Sequence, residues 1–568
     1  MTAAAPAIGA SAGNHRGIVR SLWYRQLDSY PDTAPRMMYL GIIVVTTILL
    51  YYELYVGGAV SPSILAHYHM SFRYYVNITV VGNAIGAFSS LVAGLGDRWG
   101  RANMVTYGLL VTGVLVLFGV PHAPSELTFA ILVVAVGFVE GIILVATPAL
   151  VRDFSPQLGR ASAMGFWTLG PVVGSLCVSL VASHTLSHLH AWQDQFTICG
   201  VAGLVVFVIA LFGLRELSPG LRDQLMVSMH DRALIEARAK GIDIAASLRR
   251  PWRQMLHLDI VGSAFAIAVF LIIYYTAVGF FTIYFTSIFG FSLAQANGIG
   301  NWFWAFDAGA LIVIGLLSDR VRVRKPFMVA GAVGAVIMTI VFASRTGAPH
   351  TGYYTFVWII TLMSVCLGIA YAPWMASFTE TVEKRNPALT ATGLAVWGWI
   401  IRAVVAISIF VLPYVVSSTT PLVDYGTQVK AIATKYPALV TVDPATLKSL
   451  AGGNLSLLGK AEAELEAKLH VNQNQALGLL VSASKAPASE VAYLQAHGPA
   501  VLAAQQETPN QWKHWWWVCI GGEILFIPLI FVMAGRWSPA RARRDVEEYE
   551  QMVDAEMAKL RSAAPATA

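Results

Sequence analysis

Twelve apolar runs, each of about 20 residues, are the feature that most constrains this chain, because a helix needs about that length to cross the hydrocarbon core of a bilayer. The runs lie at 38–60, 75–95, 104–121, 127–148, 163–183, 196–214, 258–283, 294–316, 327–344, 352–375, 390–415 and 514–534. Only 12% of the residues are charged, about half the usual share in a soluble protein. The sequence therefore predicts an all-α polytopic membrane protein.

The distribution of the basic residues predicts the orientation, because cytoplasmic loops of membrane proteins are enriched in Lys and Arg. With both termini in the cytoplasm, most of the 38 basic residues fall in cytoplasmic segments, and the short outer loops hold only Arg73 and Arg345. The N-terminal tail, 1–37, has no apolar run of its own. The first span is therefore predicted to act as the insertion signal, and the plasma (inner) membrane is the expected location.

Matched residues indicate that the twelve spans form two related halves. An Asp-Arg pair follows span 2 and recurs after span 8, and the same offset of 222 positions relates residues of spans 1 and 7; the matches are Asp97 with Asp319, Tyr52 with Tyr274 and Gly57 with Gly279. Trp192 of span 6 matches Trp512 of span 12 only at a longer offset. The excess is close to the length of 417–511, so that stretch is predicted to be an insertion into one copy of the repeat.

The repeat divides the chain into two six-helix bundles, 38–214 and 258–534. A basic linker, 215–257, joins the bundles and is predicted to form cytoplasmic helices. The insertion, 417–511, lies between spans 11 and 12 and is predicted to be a helical cap outside the membrane. The C-terminal tail, 535–568, is charged and is predicted to be cytoplasmic.

The loops after spans 2 and 8 resemble the signature loop of the major facilitator superfamily, Gly-x-x-x-Asp-Arg-x-Gly-Arg-Arg. The matching residues are Asp97, Arg98, Gly100 and Arg101 in the first loop and Gly315, Asp319, Arg320 and Arg324 in the second. In the first loop, Ala93 replaces the leading glycine of the pattern and Ala102 replaces its last basic residue. In the second loop, Arg322 replaces the second glycine of the pattern. The resemblance implies two six-helix bundles that transport by alternating access.

The same resemblance implies that the two loops are gates. In an outward-facing state, Asp97 would meet the start of span 11 and Asp319 the start of span 5. A carboxylate at a helix N-terminus is favoured by the helix dipole, and the neighbouring arginines would complete the network. The alternative is that both loops only form tight cytoplasmic turns.

Five ionisable residues lie within the spans, where charge is costly and usually faces the bundle interior. They are Glu53, Glu140, Asp307, Arg402 and Glu523. The resemblance places all except Glu523 on helices that line the central cavity, and Glu523 is predicted to be structural. The segment 51–62 around Glu53 resembles the first helix of proton-coupled metabolite symporters, especially the aromatic-acid:proton type.

Three interpretations of Glu53 remain open, namely proton coupling, solute contact and a buried structural carboxylate. Proton coupling is the leading hypothesis for Glu53 and Glu140, because a carboxyl group in a cavity of low dielectric can alternate between protonated and ionised forms. The two residues lie on helices that pack near each other in the family, so their titrations are predicted to be coupled.

Arg402 and Asp307 are candidates for the solute-binding site. Arg402 is interpreted either as a docking point for a solute carboxylate or phosphate, or as the ion-pair partner of Asp307. Among the aromatic residues of the spans, Tyr52, Tyr274 and Trp397 are predicted to contact the solute. The four cysteines lie apart within apolar stretches, and neither a metal site, a cofactor nor a catalytic group is predicted.

The sequence thus predicts a secondary active transporter, not an enzyme, that carries a small and anionic organic solute by proton symport. One alternative is a proton-driven exporter of drugs or metabolites; the fragment Gly170-Pro171-Val-Val-Gly174 of span 5 matches part of an antiporter motif. The other is a non-transporting receptor or assembly protein that uses the insertion.

The predicted partners are the solute, protons and the lipid bilayer, without nucleic acid. A monomer is expected, with a partner for the insertion left open, and the Arg- and Ala-rich composition is typical of a GC-rich bacterium.

Overall fold

The computed structural model describes residues 23–92, 99–155, 168–218, 221, 251–386, 390–533 and 535–541, with seven further positions between 543 and 555. Their architecture is almost entirely helical. The helices that correspond to the twelve predicted spans are α1 Thr33–Ala59, α2 Phe72–Val92, α3 Arg101–Val114, α4 Glu126–Phe154, α5 Gly170–Thr185, α6 Trp192–Gly213, α7 Leu258–Phe270 with Ile272–Phe289, α8 Leu293–Val321, α9 Lys325–Arg345, α10 Tyr353–Arg385, α11 Thr390–Val415 and α12 Ala488–Ile530.

Nine helices in the described part of the chain are long and apolar enough to cross a membrane. They are α1, α3 with its continuation to His122, α4 and α6 through α11. The other three predicted spans correspond to α2, to the shorter α5 and to the C-terminal part of α12. The protein is therefore a multi-pass membrane protein, and the all-α fold is confirmed.

Helix packing repeats between the halves. In the first half α2 packs on α4, and in the second half the equivalent α8 packs on α10. Glycines allow both close approaches: a Cβ on Gly141 would overlap the Gly86 carbonyl and the Ser89 hydroxyl, and one on Gly368 would lie 2.8 Å from Ala310 Cβ. Small residues at such crossings are the usual means of packing helices within a bilayer. The halves meet where α5 packs on α8, α2 on α11 and α1 on α7.

Several helix ends differ from the sequence prediction. Helix α1 begins at Thr33, five residues before the predicted span, and α7 is interrupted at Leu271. Helix α12 begins at Ala488 and runs 43 residues through Pro499 and Pro509. Proline removes a backbone hydrogen bond from a helix. Here packing outweighs that loss, because Val501 and Trp512 are buried on either side of Pro509.

The insertion consists of six short α-helices, followed by the N-terminal part of α12. The six are Thr419–Asp424, Gly426–Lys435, Ala438–Thr441, Pro444–Ala451, Leu458–Leu469 and Gln473–Ser484. Two small apolar clusters hold them, one around Ala461 and Leu465 and one around Ile432 and Val501. The second cluster includes α12, so the insertion is built directly onto the second half.

Within the described ranges, one short parallel pairing departs from the helical architecture. Strand β1, Gln26–Leu27, pairs with β2, Glu216–Leu217. The buried Arg25 beside β1 donates to the Ala210 carbonyl near the end of α6, at 2.8 Å. The pairing ties the N-terminal tail to the start of the linker, for which the sequence predicted helix. Residues 222–250 of that linker lie outside the described residues, and Pro251–Met255 is a short helix.

Candidate functional site

A cavity lies between the two halves, at the centre of the bundle. Helices α1, α5, α7, α8 and α10 contribute to its walls, together with Thr168 and Leu271 beside them. Its polar lining consists largely of tyrosines and one carboxylate. The residues concerned are Tyr51, Tyr55, Tyr274, Tyr275, Tyr371 and Asp307.

Asp307 is the acidic residue of this lining. It lies on α8 and is 4% exposed. Gly368 of α10 makes room for it, since a Cβ at that position would come within 3.1 Å of Asp307 Oδ1. Tyr274 and Tyr371 are electrostatic neighbours of the carboxylate. The structure thus brings together the predicted residues Asp307 and Tyr274.

Arg402 lies on α11, and its electrostatic neighbours include Tyr51 and Tyr275 of the cavity lining. Asp307 has other neighbours, on α7 and α10. Both interpretations of Arg402, as a docking point and as the ion-pair partner of Asp307, stay predictions. Trp397, on the same helix, packs against Trp374 with ring centroids 5.8 Å apart, and Trp374 donates to Ser263 Oγ. A solute contact by Trp397 stays a prediction.

Glu53 and Glu140 form a buried pair inside the first half, behind the cavity. Both are at most 4% exposed, and each is an electrostatic neighbour of the same thiol, Cys199. The Glu53 carboxylate lies against Gly203 of α6 and beside the Thr112 hydroxyl of α3. Gly203 makes this possible, because any side chain there would overlap the carboxylate.

Of the two carboxylates, Glu140 is the one next to the cavity. It is an electrostatic neighbour of Glu53 on one side and of Tyr51 and Tyr55 on the other. Neither of its carboxylate oxygens has a hydrogen-bond partner among the described residues. Two neighbouring carboxylates in apolar surroundings repel each other, and proton coupling by Glu53 and Glu140 stays a prediction.

Tyr52 faces away from the cavity. Its electrostatic neighbours are Cys177 of α5 and Cys199 of α6, inside the first half. The cavity residues of α1 are instead Tyr51 and Tyr55, whose rings lie 5.5 Å apart. Their spacing of four residues is the signal that identifies one face of a helix, and sequence reasoning passed over it.

The halves are hydrogen-bonded to each other at the end of the bundle next to the insertion, called here the insertion end. Thr282 Oγ1 donates to the Gly58 carbonyl at 2.6 Å, and Asn297 Nδ2 donates to the Ala59 carbonyl at 3.0 Å. Asn301 Nδ2 donates to Ser183 Oγ at 2.8 Å. These bonds join α1 to α7, α1 to α8 and α5 to α8. The cavity is therefore closed at the insertion end.

The opposite end of the bundle, called here the loop end, carries the predicted gating residues. Arg324 binds Asp319 at 2.7 Å and Glu380 at 3.1 Å, and Arg101 binds Asp153 at 3.1 Å. Each of these pairs lies within one half. Asp97 and Arg98 lie outside the described residues, and Arg320 is exposed. In this conformation Asp319 contacts Arg324 of its own half, and the first residues of predicted span 5 lie outside the described residues.

Glu216 is a residue at the loop end that sequence reasoning missed. This buried carboxylate accepts the backbone N–H of Arg101 at 2.8 Å, at the first turn of α3. Gly100 permits the approach, since it has a left-handed φ of 88° and a Cβ there would overlap the carboxylate. The bond attaches the linker to the first signature loop, and its sequence separation of 115 residues gave no local signal.

The fold thus consists of two helical bundles around a central cavity that is closed at the insertion end. Solved structures agree with this fold. A bacterial homologue of the human lysosomal transporter Spinster has a TM-score of 0.53 at 17% identity, covering 84% of this chain and 98% of its own. A D-xylose–proton symporter has a TM-score of 0.51 at 13% identity, covering 66% and 89%.

Residues 43–418 match the Major Facilitator Superfamily, and the chain belongs to that family. Relatives include the efflux pump radE of Floropilus chiversii, 24% identical over 276 residues, which are 44% of this chain and 50% of the relative. A second relative, the uncharacterized MFS-type transporter YttB of Bacillus subtilis (strain 168), is 27% identical over 28% of this chain and 38% of its own length. This chain spans half or less of both relatives.

Proposed function

We propose that the protein is a secondary active transporter that carries a small organic solute together with protons by alternating access. The observation that carries this proposal is the separation of two sites. The solute cavity lies between the halves, whereas the Glu53–Glu140 pair lies within the first half. Tyr51 and Tyr55 connect the two sites.

Separate sites favour symport over exchange. In symport the proton and the solute must be bound at the same time, which is possible when they occupy different groups. A protonated Glu140 removes a negative charge from behind Tyr51 and Tyr55, so the proton and a solute in the cavity can stabilise each other. An anionic group on the solute would dock at Arg402, beside Tyr51 and Tyr275.

The proposed orientation places both termini in the cytoplasm and the insertion, 417–511, outside the membrane. The segments 1–37, 215–257 and 535–568 then lie on the cytoplasmic side. In this orientation the closed insertion end is the outer end of the cavity. We therefore assign this conformation to the part of the cycle in which the outer end is closed.

Proton-driven export is the second candidate, since a relative is named an efflux pump. In exchange, the proton and the solute compete for one carboxylate, and Asp307 in the cavity wall is the residue available for that role. Export thus predicts that Asp307 carries the coupling, whereas symport predicts that Glu53 and Glu140 carry it.

Reconstitution into liposomes tests the two candidates. Symport predicts solute uptake driven by an inward proton gradient, and Glu140→Gln and Glu53→Gln abolish that uptake but retain solute exchange across the membrane without a gradient. Glu523→Gln is the matched control, because Glu523 is also buried and bonds to Thr339 at 2.8 Å in the other half. Gradient-driven uptake that survives in Glu140→Gln and is lost in Asp307→Asn contradicts symport through the pair.

A further inference from the structure

We propose that the central cavity binds a positively charged amine, held between Asp307 and the surrounding tyrosines. This inference names the solute class of the transport site and rests on the proposed function. Five tyrosines and one carboxylate line the same cavity. Tyr274 of α7 and Tyr371 of α10 are both electrostatic neighbours of its carboxylate.

Tyrosine rings attract a cation through the negative face of the ring, and several rings around one point form the aromatic cage that binds ammonium groups. The rings are held in place here by one another: Tyr274 packs edge-on against Tyr275 and Trp304, with centroids 5.2 Å and 5.1 Å away. A preorganised cage loses little side-chain freedom when a ligand binds.

Asp307 supplies the countercharge. It is almost fully buried, and it faces Gly368, Tyr274 and Tyr371. A carboxylate in such surroundings is stabilised by a cation and destabilised by a second anion. The anionic group of the solute therefore cannot occupy this wall, and the α11 side, where Arg402 lies near Tyr51 and Tyr275, is where it would dock.

The two ends of the solute then carry opposite charges. With the proposed anionic group at Arg402, an amine at Asp307 makes the solute a small zwitterion. A simple organic amine shares the ammonium chemistry and differs only in lacking the second group. A zwitterionic solute and a simple amine can be distinguished with a size-matched series of ligands. The series comprises phenethylamine, phenylalanine, 3-phenylpropanoate and 3-phenylpropanol.

Binding of these four probes to the purified full-length protein, measured by thermal stabilisation and calorimetry without a proton gradient, tests the inference. Phenethylamine and phenylalanine are expected to bind wild type, with Asp307→Asn weakening both by at least about tenfold. Arg402→Gln is expected to weaken phenylalanine alone. Stronger binding of phenylalanine than of phenethylamine indicates the zwitterion, and the reverse indicates a simple amine.

The inference is overturned if 3-phenylpropanoate or 3-phenylpropanol binds as strongly as the amines. It is also overturned if the amines do not bind, or if Asp307→Asn leaves their binding unchanged. Glu523→Gln serves as the control for loss of a buried acid. Failure of the transport proposal looks different: amines bind, yet no proton gradient drives their uptake.

A second and independent inference concerns the insertion, 417–511. We propose that it acts as a latch that holds the insertion end closed. The Asp424 carboxylate accepts the backbone N–H of Phe72, at the start of α2, at 3.0 Å. Phe72 is fully buried and packs edge-on against Phe280 of α7, and the neighbouring Arg73 guanidinium lies 5.4 Å from the ring of Tyr414 on α11. Each contact joins the first half to the second.

Asp424 moves with the second half. Its helix, Thr419–Asp424, is bonded to α12 through Thr419 and Trp512 at 3.0 Å, and Ser418 Oγ lies 2.7 Å from Gln511 Oε1. Helix α12 continues from the insertion into the bundle. Separation of the halves at this end must therefore break the hydrogen bond from Phe72 N to Asp424. The helix dipole of α2 strengthens that bond, because the Asp424 carboxylate lies at the N-terminus of the helix.

Cysteine labelling tests the latch. Ser179→Cys, in a background that lacks the four native cysteines, places a thiol at the closed contact beside Gly300. Asp424→Ala is expected to raise its labelling by a membrane-impermeant maleimide about threefold to tenfold. Asp443→Ala is the matched control, because Asp443 caps a helix within the insertion by accepting from Thr446 N. Unchanged labelling in Asp424→Ala, or an equal increase in Asp443→Ala, overturns the latch.

Discussion

The two ends of the bundle differ in what their polar contacts join. At the insertion end, Thr282, Asn297 and Asn301 bond one half to the other. Among the described residues of the loop end, the pairs Arg101–Asp153, Arg324–Asp319 and Arg324–Glu380 each lie within one half. Breaking the hydrogen bonds between the halves would open the cavity at the insertion end. Replacing the ion pairs of the loop end by contacts between the halves would close the cavity at the loop end. We therefore expect the two ends to act in opposition.

The largest expected effect is a steric block at the insertion end. Gly58 lies where α1 crosses α7, and a Cβ there would come 2.8 Å from the Val278 carbonyl. Gly58→Val is expected to prevent closure at a cost of about 1–3 kcal/mol, which lowers transport by up to about a hundredfold. Gly279→Ala, at the same crossing, meets nothing within 4 Å and should transport normally. Equal activity of the two variants would contradict the crossing as a closure point.

The next effect concerns the loop end. Asp319→Asn removes a charge that binds Arg324 in this conformation and that is expected to meet the helix dipole of α5 in the opposite one. Such an interaction is worth up to about 2 kcal/mol, so transport is expected to fall about tenfold. The variant is expected to favour the state closed at the insertion end, so labelling of Ser179→Cys there is expected to decrease. Unchanged labelling would mean that the two ends are uncoupled. Wild-type transport would exclude a gating role for this residue.

A smaller effect is expected from one hydrogen bond between the halves. Thr282→Val keeps the shape of the side chain and removes the donor to Gly58. The expected loss is about 0.5–1.5 kcal/mol of closure, seen as a twofold to tenfold rise in labelling of Ser179→Cys, roughly as RT ln K requires. Thr286→Val is the control one turn later, since Thr286 bonds only within its own helix, to Thr282 O and Ile283 O. Equal effects of the two would mean that the bond between the halves does not hold the closed state.

The smallest effect should appear in stability alone. Arg322 occupies the glycine position of the second signature loop and has a left-handed φ of 58°. Arg322→Gly is expected to stabilise the protein by about 1 kcal/mol, measured as a higher melting temperature with unchanged transport. Arg322→Ala keeps a Cβ and should bring no such gain. A gain of equal size in both variants would show that the arginine side chain, and not the backbone, is responsible.

Much of the fold follows from local sequence signals. Apolar runs and the repeated Asp-Arg loops predicted the helices and the family, because both depend on short patterns. The continuation of α12 into the insertion did not follow, since the apolar run begins only at 514, whereas the helix begins at Ala488 and packing of Val501 and Trp512 supports it through Pro499 and Pro509. The β1–β2 pairing and the bond from Glu216 to Arg101 join segments far apart in sequence, for which no local pattern exists.

The site was predicted by residue type more than by position. Asp307 and Tyr274 lie at the cavity as expected, but Tyr52 does not. The repeat offset equates Tyr52 with Tyr274, yet the first lies inside a half and the second faces the cavity. Related helices therefore need not present the same face, and the helical face given by Tyr51 and Tyr55 was the better guide.

Pulsed electron spin resonance at both ends tests the opposition of the ends most directly. Spin-label pairs at Ala66 and Ser344 report the insertion end, and pairs at Phe212 and Leu316 report the loop end; all four residues are exposed. In Gly58→Val, compared with Gly279→Ala, the account predicts a longer 66–344 distance together with a shorter 212–316 distance. Distances that lengthen together, or a loop end that does not respond, would contradict alternating access in this protein.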